Sequence, residues 1–282
     1  MEFAAEEEGK AFSPNCSTLL LPALSIGNVG QLAVDLLVSS LRAKRVGYLD
    51  DPSLLPCVGN DAYGPVADGD LSLPLEAYES PSHALGLIQQ RSPVLKGMMV
   101  AYARNLANFI CSIGKKHVII LSSLDAGRRK KIDASSHLQV YYVSSINSDG
   151  TDSDCEKLGL KKFEEYDPIQ RRWKYLARLA LGDSLLEDML SDEDQLTDED
   201  YYPGLPFAAL FSCCKAKGLQ VTCLLCYCSE GDNISDSFQL AEAACKILGV
   251  NLGNFHGHGQ SEWVIPLSWR SVYGPPPDMS IF

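Results

Sequence analysis

Ser25-Ile26-Gly27-Asn28-Val29-Gly30 is the stretch of this 282-residue chain best suited to chemistry. It falls between an apolar run and a helical one, where backbone amides and a helix dipole can hold a phosphate. Asp50 stands about twenty residues on, at the end of the next expected strand, where a dinucleotide fold keeps the acid that binds ribose. However, Ser25 occupies the position of the first glycine of G-x-G-x-x-G, and a tight strand-to-helix turn needs glycines for its own geometry. Gly27, Asn28 and Gly30 are therefore read as turn residues, with a nucleotide- or nucleoside-processing enzyme as the alternative. No G-x-x-x-x-G-K-[ST] loop and no G-x-S-x-G elbow occurs.

Three other groups invite a chemical reading. Cys223, Cys226 and Cys228 suggest a metal, but they fall on an expected strand, with Cys226 and Cys228 on one face and Cys223 on the other. A zinc knuckle needs its C-x-x-C on a turn, so these thiols, like Cys213 and Cys214, read as small buried hydrophobes. His256 and His258 are two residues apart in a glycine-rich loop, with Glu262 as the nearest third ligand. They read as surface loop histidines. Ser229-Glu230-Gly231-Asp232-Asn233 follows a strand and precedes a helix, where α/β enzymes keep acids. Gly231, Asp232 and Asn233 equally suit a turn closed by side-chain-to-backbone bonds, and that reading is preferred. No metal or cofactor is expected.

The C-terminal stretch is unusual in another way. Trp263, Pro266, Trp269, Tyr273 and Pro275-Pro276-Pro277 lead to Met279-Ser280-Ile281-Phe282. The tryptophans need a surface to pack on, and the prolines stiffen the final residues toward an extended spacer. Ser280, Ile281 and Phe282 with the free carboxylate resemble a peptide ligand. The other possibility is that Ile281 and Phe282 fold back onto this chain's own core.

The elements that must position these groups emerge from periodicity. Thr18 to Ile26 reads as a buried strand with Pro22 near its end, Val29 to Leu41 as a helix, and Arg45 to Leu49 as a strand, together a βαβ unit. Leu71 to Glu79 and Ala84 to Gln89 read as paired strands. Lys96 to Gly114 is a helix capped by Gly114. His117 to Leu124 is a central strand of a parallel sheet. Gln139 to Val143 is a further strand, and Ile146 to Asp154 reads as a loop. Phe207 to Gly218 is a helix, Leu219 to Cys226 a strand, and Asp236 to Leu248 a helix with Ser235 as N-cap. Alternating strands and helices imply an α/β sheet with helices on both faces. Residues 1–15 read as a flexible acidic arm and 16–282 as one domain. Asp183 to Tyr201 carries nine carboxylates and no Lys or Arg, and reads as a solvated excursion.

Composition narrows the function. Apolar residues make up 46% and charged residues 21%, so the chain can bury a core and is not disordered throughout. The formal net charge of -12 argues against nucleic acid and against anionic membrane surfaces. No run approaches the roughly 20 apolar residues that span a bilayer. The acidic start, Glu6-Glu7-Glu8, is unlike a signal peptide. A reducing compartment with ten free cysteines is expected.

Three segments in order resemble the proteasome assembly chaperone 2 family. They are Pro22 to Leu36 (PALSIGNVGQLAVDL), Ser229 to Asp236 (SEGDNISD) and Trp263 to Arg270 (WVIPLSWR). Val58-Gly59-Asn60-Asp61-Ala62-Tyr63 also resembles the family's loop after its second strand. The likeness runs from about residue 18 to the end, except for about 125–203, which reads as a lineage-specific insertion. The resemblance implies a Rossmann-like sheet, no cofactor and no enzymatic activity. It implies a heterodimer with proteasome assembly chaperone 1 that holds α-subunits while the α-ring of the 20S core forms, in cytoplasm and nucleus. Relatives of this kind dock by a C-terminal hydrophobic–Tyr–any-residue tail. Here Ser280-Ile281-Phe282 departs from that motif, so either Ile281-Phe282 uses the same pocket less specifically or the partner supplies the main anchor. The second is preferred.

Overall fold

The computed structural model describes residues 1–7, 12–64, 70–129, 140–182, 205–251 and 263–271. The acidic segment 183–201, His256, His258, Glu262 and the tail residues Ser280, Ile281 and Phe282 lie outside them. No described helix is long and apolar enough to cross a membrane.

Period-two alternation builds the centre of the sheet. In β2 (Thr18–Pro22), Leu19 and Leu21 point to one face and Leu20 to the other. In β8 (His117–Asp125), Val118 and Ile120 join the first face, Ile119 and Leu121 the second. In β11 (Gln220–Cys228), Val221, Cys223 and Leu225 join the first, Leu224, Cys226 and Cys228 the second. Strands buried on both faces read as near-continuous apolar runs, and these three pair in parallel, β2 with β8 and β8 with β11.

Six further strands complete the sheet. They are β1 (Glu2–Ala5), β3 (Lys44–Asp50), β6 (Leu75–Ser80), β7 (Leu85–Gln90), β9 (Val140–Ser144) and β10 (Lys161–Lys162). The order is β1-β3-β6-β7-β2-β8-β11-β9-β10. β7 runs parallel to β2, while the pairs β7–β6, β6–β3 and β3–β1 are antiparallel. β9 is antiparallel to β11 and parallel to β10. A short hairpin, β4 (Gly59–Asn60) with β5 (Leu71–Ser72), stands apart.

Helices cover both faces, as the alternation implies. The α1 helix (Val29–Ser40) and α6 (Ile234–Leu248) pack together on one face. On the other, α5 (Leu205–Ala216) packs against α2 (Met99–Ser112) and α4 (Arg171–Leu181). The α3 helix (Ser153–Lys157) is a single turn. Gly114 closes α2 with φ +69, where a residue with a β-carbon is strained.

The structure corrects several expectations. Residues 2–5 are not a loose arm: they form an edge strand on β3, and Phe3 packs on Phe12 and Phe109 at centroid distances of 5.4 and 6.2 Å. The β2–α1–β3 unit exists, but β7 and β6 lie between its strands. The α6 helix starts at Ile234, so Asn233, and not Ser235, holds the N-cap position. Of the expected insertion at 125–203, residues 140–182 belong to the fold: β9 joins the sheet, and Tyr142, Val143, Phe163, Tyr166, Trp173 and Leu176 are core. The expected loop over Ile146 to Asp154 stops short, since α3 begins at Ser153 with Asp152 Oδ1 accepting from the Asp154 amide at 2.9 Å.

Candidate functional site

Two sequence turns, far apart in the chain, meet at the carboxyl ends of β2, β8 and β11. After β2 the backbone makes a turn over Ile26–Asn28, with Gly27 at φ +59 and Asn28 at φ +53. A β-carbon on Gly27 would lie 2.1 Å from Asn233 Oδ1, so the Asn233 side chain fills the hollow the turn leaves. Asn233 Nδ2 donates to Ser229 O and to Asp236 Oδ2, both at 2.9 Å. Asp232 Oδ1 accepts from the Ile234 amide at 3.3 Å, as its turn role requires. Gly231 opens that turn at φ +153, and a β-carbon there would meet nothing within 4 Å.

Three of the amides that could face a phosphate are already bonded within the turn. Gly30 N donates to Ser25 Oγ at 3.0 Å, Asn28 N to Ser25 O at 3.2 Å, and Val29 N to Ile26 O. Ser123 Oγ and Cys228 Sγ both donate to Ile26 O, at 2.6 and 3.4 Å. Asp50 is separated from β2 by β6 and β7, so it stands three strands off, about 15 Å at the usual strand spacing. The ribose acid and the glycine turn of a dinucleotide site are therefore not brought together.

Gly30 serves close packing. A β-carbon there would sit 2.4 Å from Leu121 O, which also accepts the Ala23 amide at 2.9 Å. A helical Gly→Ala change ordinarily gains up to about 1 kcal/mol. Here the methyl must push α1 off β8, so Gly30→Ala is expected to cost about 1–3 kcal/mol in urea denaturation. A gain in stability would show that the approach is not tight.

The thiols are packed as expected. Cys223 faces one core and Cys226 with Cys228 the other. Burial pushes the Cys223 thiol well up, and burial pushes Cys213 up to about 11. Cys226 and Cys228 share a hydrogen bond that raises the first and lowers the second. Among the described residues no group of three His, Cys, Asp or Glu could hold a metal ion. A groove of about 820 Å³ lies away from the glycine turn, over β9 and β10, where Arg129 stacks on the rings of Tyr141 and Tyr227.

A second junction centres on Arg91, which no sequence motif marks. It comes directly after β7, and its Nε donates to Glu76 Oε2 at 2.5 Å. Its Nη2 donates to Asp35 Oδ1 at 3.1 Å and to the Tyr63 hydroxyl at 3.2 Å. Tyr63 OH donates to Asp35 Oδ1 at 2.5 Å, Tyr78 OH to Glu76 Oε2 at 3.0 Å, and the two tyrosine rings meet edge to face at 5.8 Å. Burial opposes the charge on Arg91, but Asp35, Tyr63 and Glu76 outweigh it and hold the guanidinium ionised. Burial first, then the Asp35 charge, drives the Tyr63 hydroxyl well above its usual range, so it remains a donor. The only hint in sequence is an arginine closing an otherwise neutral strand, Leu85 to Gln90.

This junction carries the C-terminal segment. Ala62 O accepts from the Ser268 amide at 3.0 Å, and Ser40 Oγ accepts from the Val264 amide at 3.0 Å. Trp263 packs edge to face on Phe238 at 5.7 Å, and Trp269 is buried in the α1–α6 core. Gly27 thus meets Asn233, Asp35 meets Tyr63, and Ala62 meets Ser268. The four segments that carry the resemblance form one run of contacts.

A sequence model of the PAC2 family matches residues 19–254. The chain belongs to the PAC2 family. Relatives include a protein from Nematostella vectensis named proteasome assembly chaperone 2, which is 36% identical over 79% of this chain and 85% of its own length. One of the same name from Homo sapiens is 30% identical over 91% of each chain. Among solved structures, PbaA of Pyrococcus furiosus, an archaeal homolog of proteasome-assembly chaperone, has a TM-score of 0.56 at 16% identity, covering 83% of each chain. PbaB of the same organism, an archaeal proteasome activator, has a TM-score of 0.56 at 16% identity over 92% of this chain and 93% of its own. At those identities the structures speak for the fold. The matched range includes residues 140–182, which supply β9 and β10 to the sheet.

Proposed function

We propose that this chain is a non-enzymatic assembly chaperone that pairs with a homologous chain, proteasome assembly chaperone 1, and holds α-subunits while the 20S α-ring forms. The observation that carries this reading is the likeness over most of their length to proteins named proteasome assembly chaperone 2. The glycine turn supports it. The amides of Asn28, Val29 and Gly30 are bonded and its hollow is filled by Asn233, so the bend serves geometry and not the binding of a nucleotide. The chaperone works in the cytoplasm and nucleus without a cofactor. Its Ile281-Phe282 end adds to ring binding, and the partner's tail supplies the main anchor.

Tagged protein should bring down a homologous chaperone and free α-subunits with little mature proteasome, as read by mass spectrometry. Recovering neither would sink the proposal. Burying one phenylalanine is worth about 1.5–3 kcal/mol, so removing Met279 to Phe282 is expected to weaken ring binding about tenfold to a hundredfold. The heterodimer should survive that truncation. Equal ring affinity with and without these four residues would mean that the tail is not an anchor.

A further inference from the structure

We infer that the apolar, nearly uncharged surface formed by Leu55, Val58, Leu71, Leu95 and Met98 is the face on which the homologous partner chain docks. The inference rests on the proposed pairing and adds where on this chain it takes place.

The surface is built from three segments that meet at the ends of β3 and β7 and the start of β6. Leu54 bridges Val94 in an antiparallel pair, with Leu55 N donating to Pro93 O at 3.1 Å and Leu95 N to Ser53 O at 2.8 Å. Neighbours along an extended chain point to opposite sides. Leu54 and Val94 turn toward the core, so Leu55 and Leu95 turn outward. Met98 N donates to Leu95 O at 3.0 Å, which sets Met98 beside Leu95 at the head of α2. Val58 comes just before the β4–β5 hairpin, and Leu71 lies in it opposite Asn60. Cys57 Sγ lies 2.6 Å from Ser92 Oγ, and Arg91 N donates to Pro74 O at 2.9 Å, so the three segments are tied to one another.

The five apolar residues are 36–63% exposed. Together they present about 400 Å² of apolar surface, as much as the largest patch on many monomers and about half of what one partner buries in a standard interface. The centre of an interface is also depleted of charge. Residues 53–60, 71–75 and 92–98 carry one charge between them, the exposed Lys96. No Asp or Glu occurs from Ser80 to Leu124, in a chain that has 36. The occupant is therefore a chain with an apolar face and a carboxylate opposite Lys96. A second copy fits poorly, because it brings no carboxylate on this surface and two chains of net charge -12 repel as they approach. The backbone bonds hold the segments in place before docking, so little ordering entropy is lost on binding.

The test compares the full chain with Val58→Glu and Leu95→Glu, and uses Leu158→Glu and Ile169→Glu as controls. The control sites flank β10 at the far edge of the sheet and are 41% and 73% exposed. Affinity for the homologous chain is expected to fall about a hundredfold in each patch variant and less than about threefold in each control. Equal losses in patch and control variants would overturn the inference. So would a patch variant that pairs fully but binds α-subunits more weakly, which would give the surface to the ring. One that pairs fully but abolishes a dimer of the chain alone would give it to a second copy, and also overturns it. A charged variant can fail to fold, so the unsubstituted protein supplies a second reading. Cys57 is an exposed thiol within the surface. Its alkylation by N-ethylmaleimide, read by mass spectrometry, is expected to be about tenfold slower in the heterodimer than in the chain alone, and equal rates would overturn the inference. If the unsubstituted protein recovers no homologous chain, the proposed pairing fails and the surface falls with it. If it recovers one and the patch variants pair as tightly, only the surface is wrong.

Discussion

Replacing Arg91 with leucine is expected to lower the free energy of unfolding by about 3–5 kcal/mol. Leucine leaves the Asp35 and Glu76 carboxylates without their cation, and both side chains are nearly enclosed, at 10% and 0% exposure. Glu76 keeps the Tyr78 hydroxyl, and Arg45 stands 3.9 Å away, which together do not replace a bond at 2.5 Å. Adding Glu76→Gln to Arg91→Leu removes one of the stranded charges. It should recover part of the loss, whereas Glu76→Gln alone should destabilise. Urea denaturation of the three variants decides it. A loss below about 1 kcal/mol for Arg91→Leu would place the network in the class of screened surface pairs.

The second large effect is expected at Trp173. Its ring lies 4.8 Å from that of Tyr166 and 6.1 Å from those of Phe207 and Phe211, and its Nε1 donates to Glu165 O at 3.1 Å. It is 4% exposed. Trp173→Ala removes the centre of this cluster and is expected to cost about 3–5 kcal/mol, with the melting temperature falling accordingly. An appended excursion would tolerate the change at well under 1 kcal/mol, so the size of the loss separates a core segment from an insertion. Trp173 joins Tyr166, from the loop before α4, to Phe207 and Phe211 of α5. Trp173→Phe keeps an aromatic ring at this centre and should retain much of the stability.

Much of the sheet's centre is legible in sequence because β2, β8 and β11 are apolar on both faces, and a strand with that composition has few other places to lie. The glycine turn is legible for a local reason: two consecutive left-handed residues at a strand-to-helix corner favour Gly and Asn. The segment at 140–182 is legible only at its start, where the expected strand over Gln139 to Val143 is β9. The core face of its amphipathic α4 helix shows only when Trp173 and Tyr166 are placed against α5. The strand at Glu2–Ala5 is hidden by its shortness and by the acidic run Glu6-Glu7-Glu8 that follows it, and an edge strand buries only one side and a few contacts such as Phe3 on Phe12.

Chain composition and short-range pattern were enough to set the alternation of strands and helices, the two-faced core and the bend at Gly27. Those features depend on residues within a turn or two of each other, where periods of 2 and 3.6 leave a direct imprint. Folding alone decided the strand order, the placing of Asn233 in the Gly27 hollow, and the meeting of Arg91 with Asp35, Glu76 and Tyr63. These pairings join residues 15 to about 200 positions apart. Buried donors and acceptors must find partners wherever the chain brings them, and no local period encodes which distant group that will be.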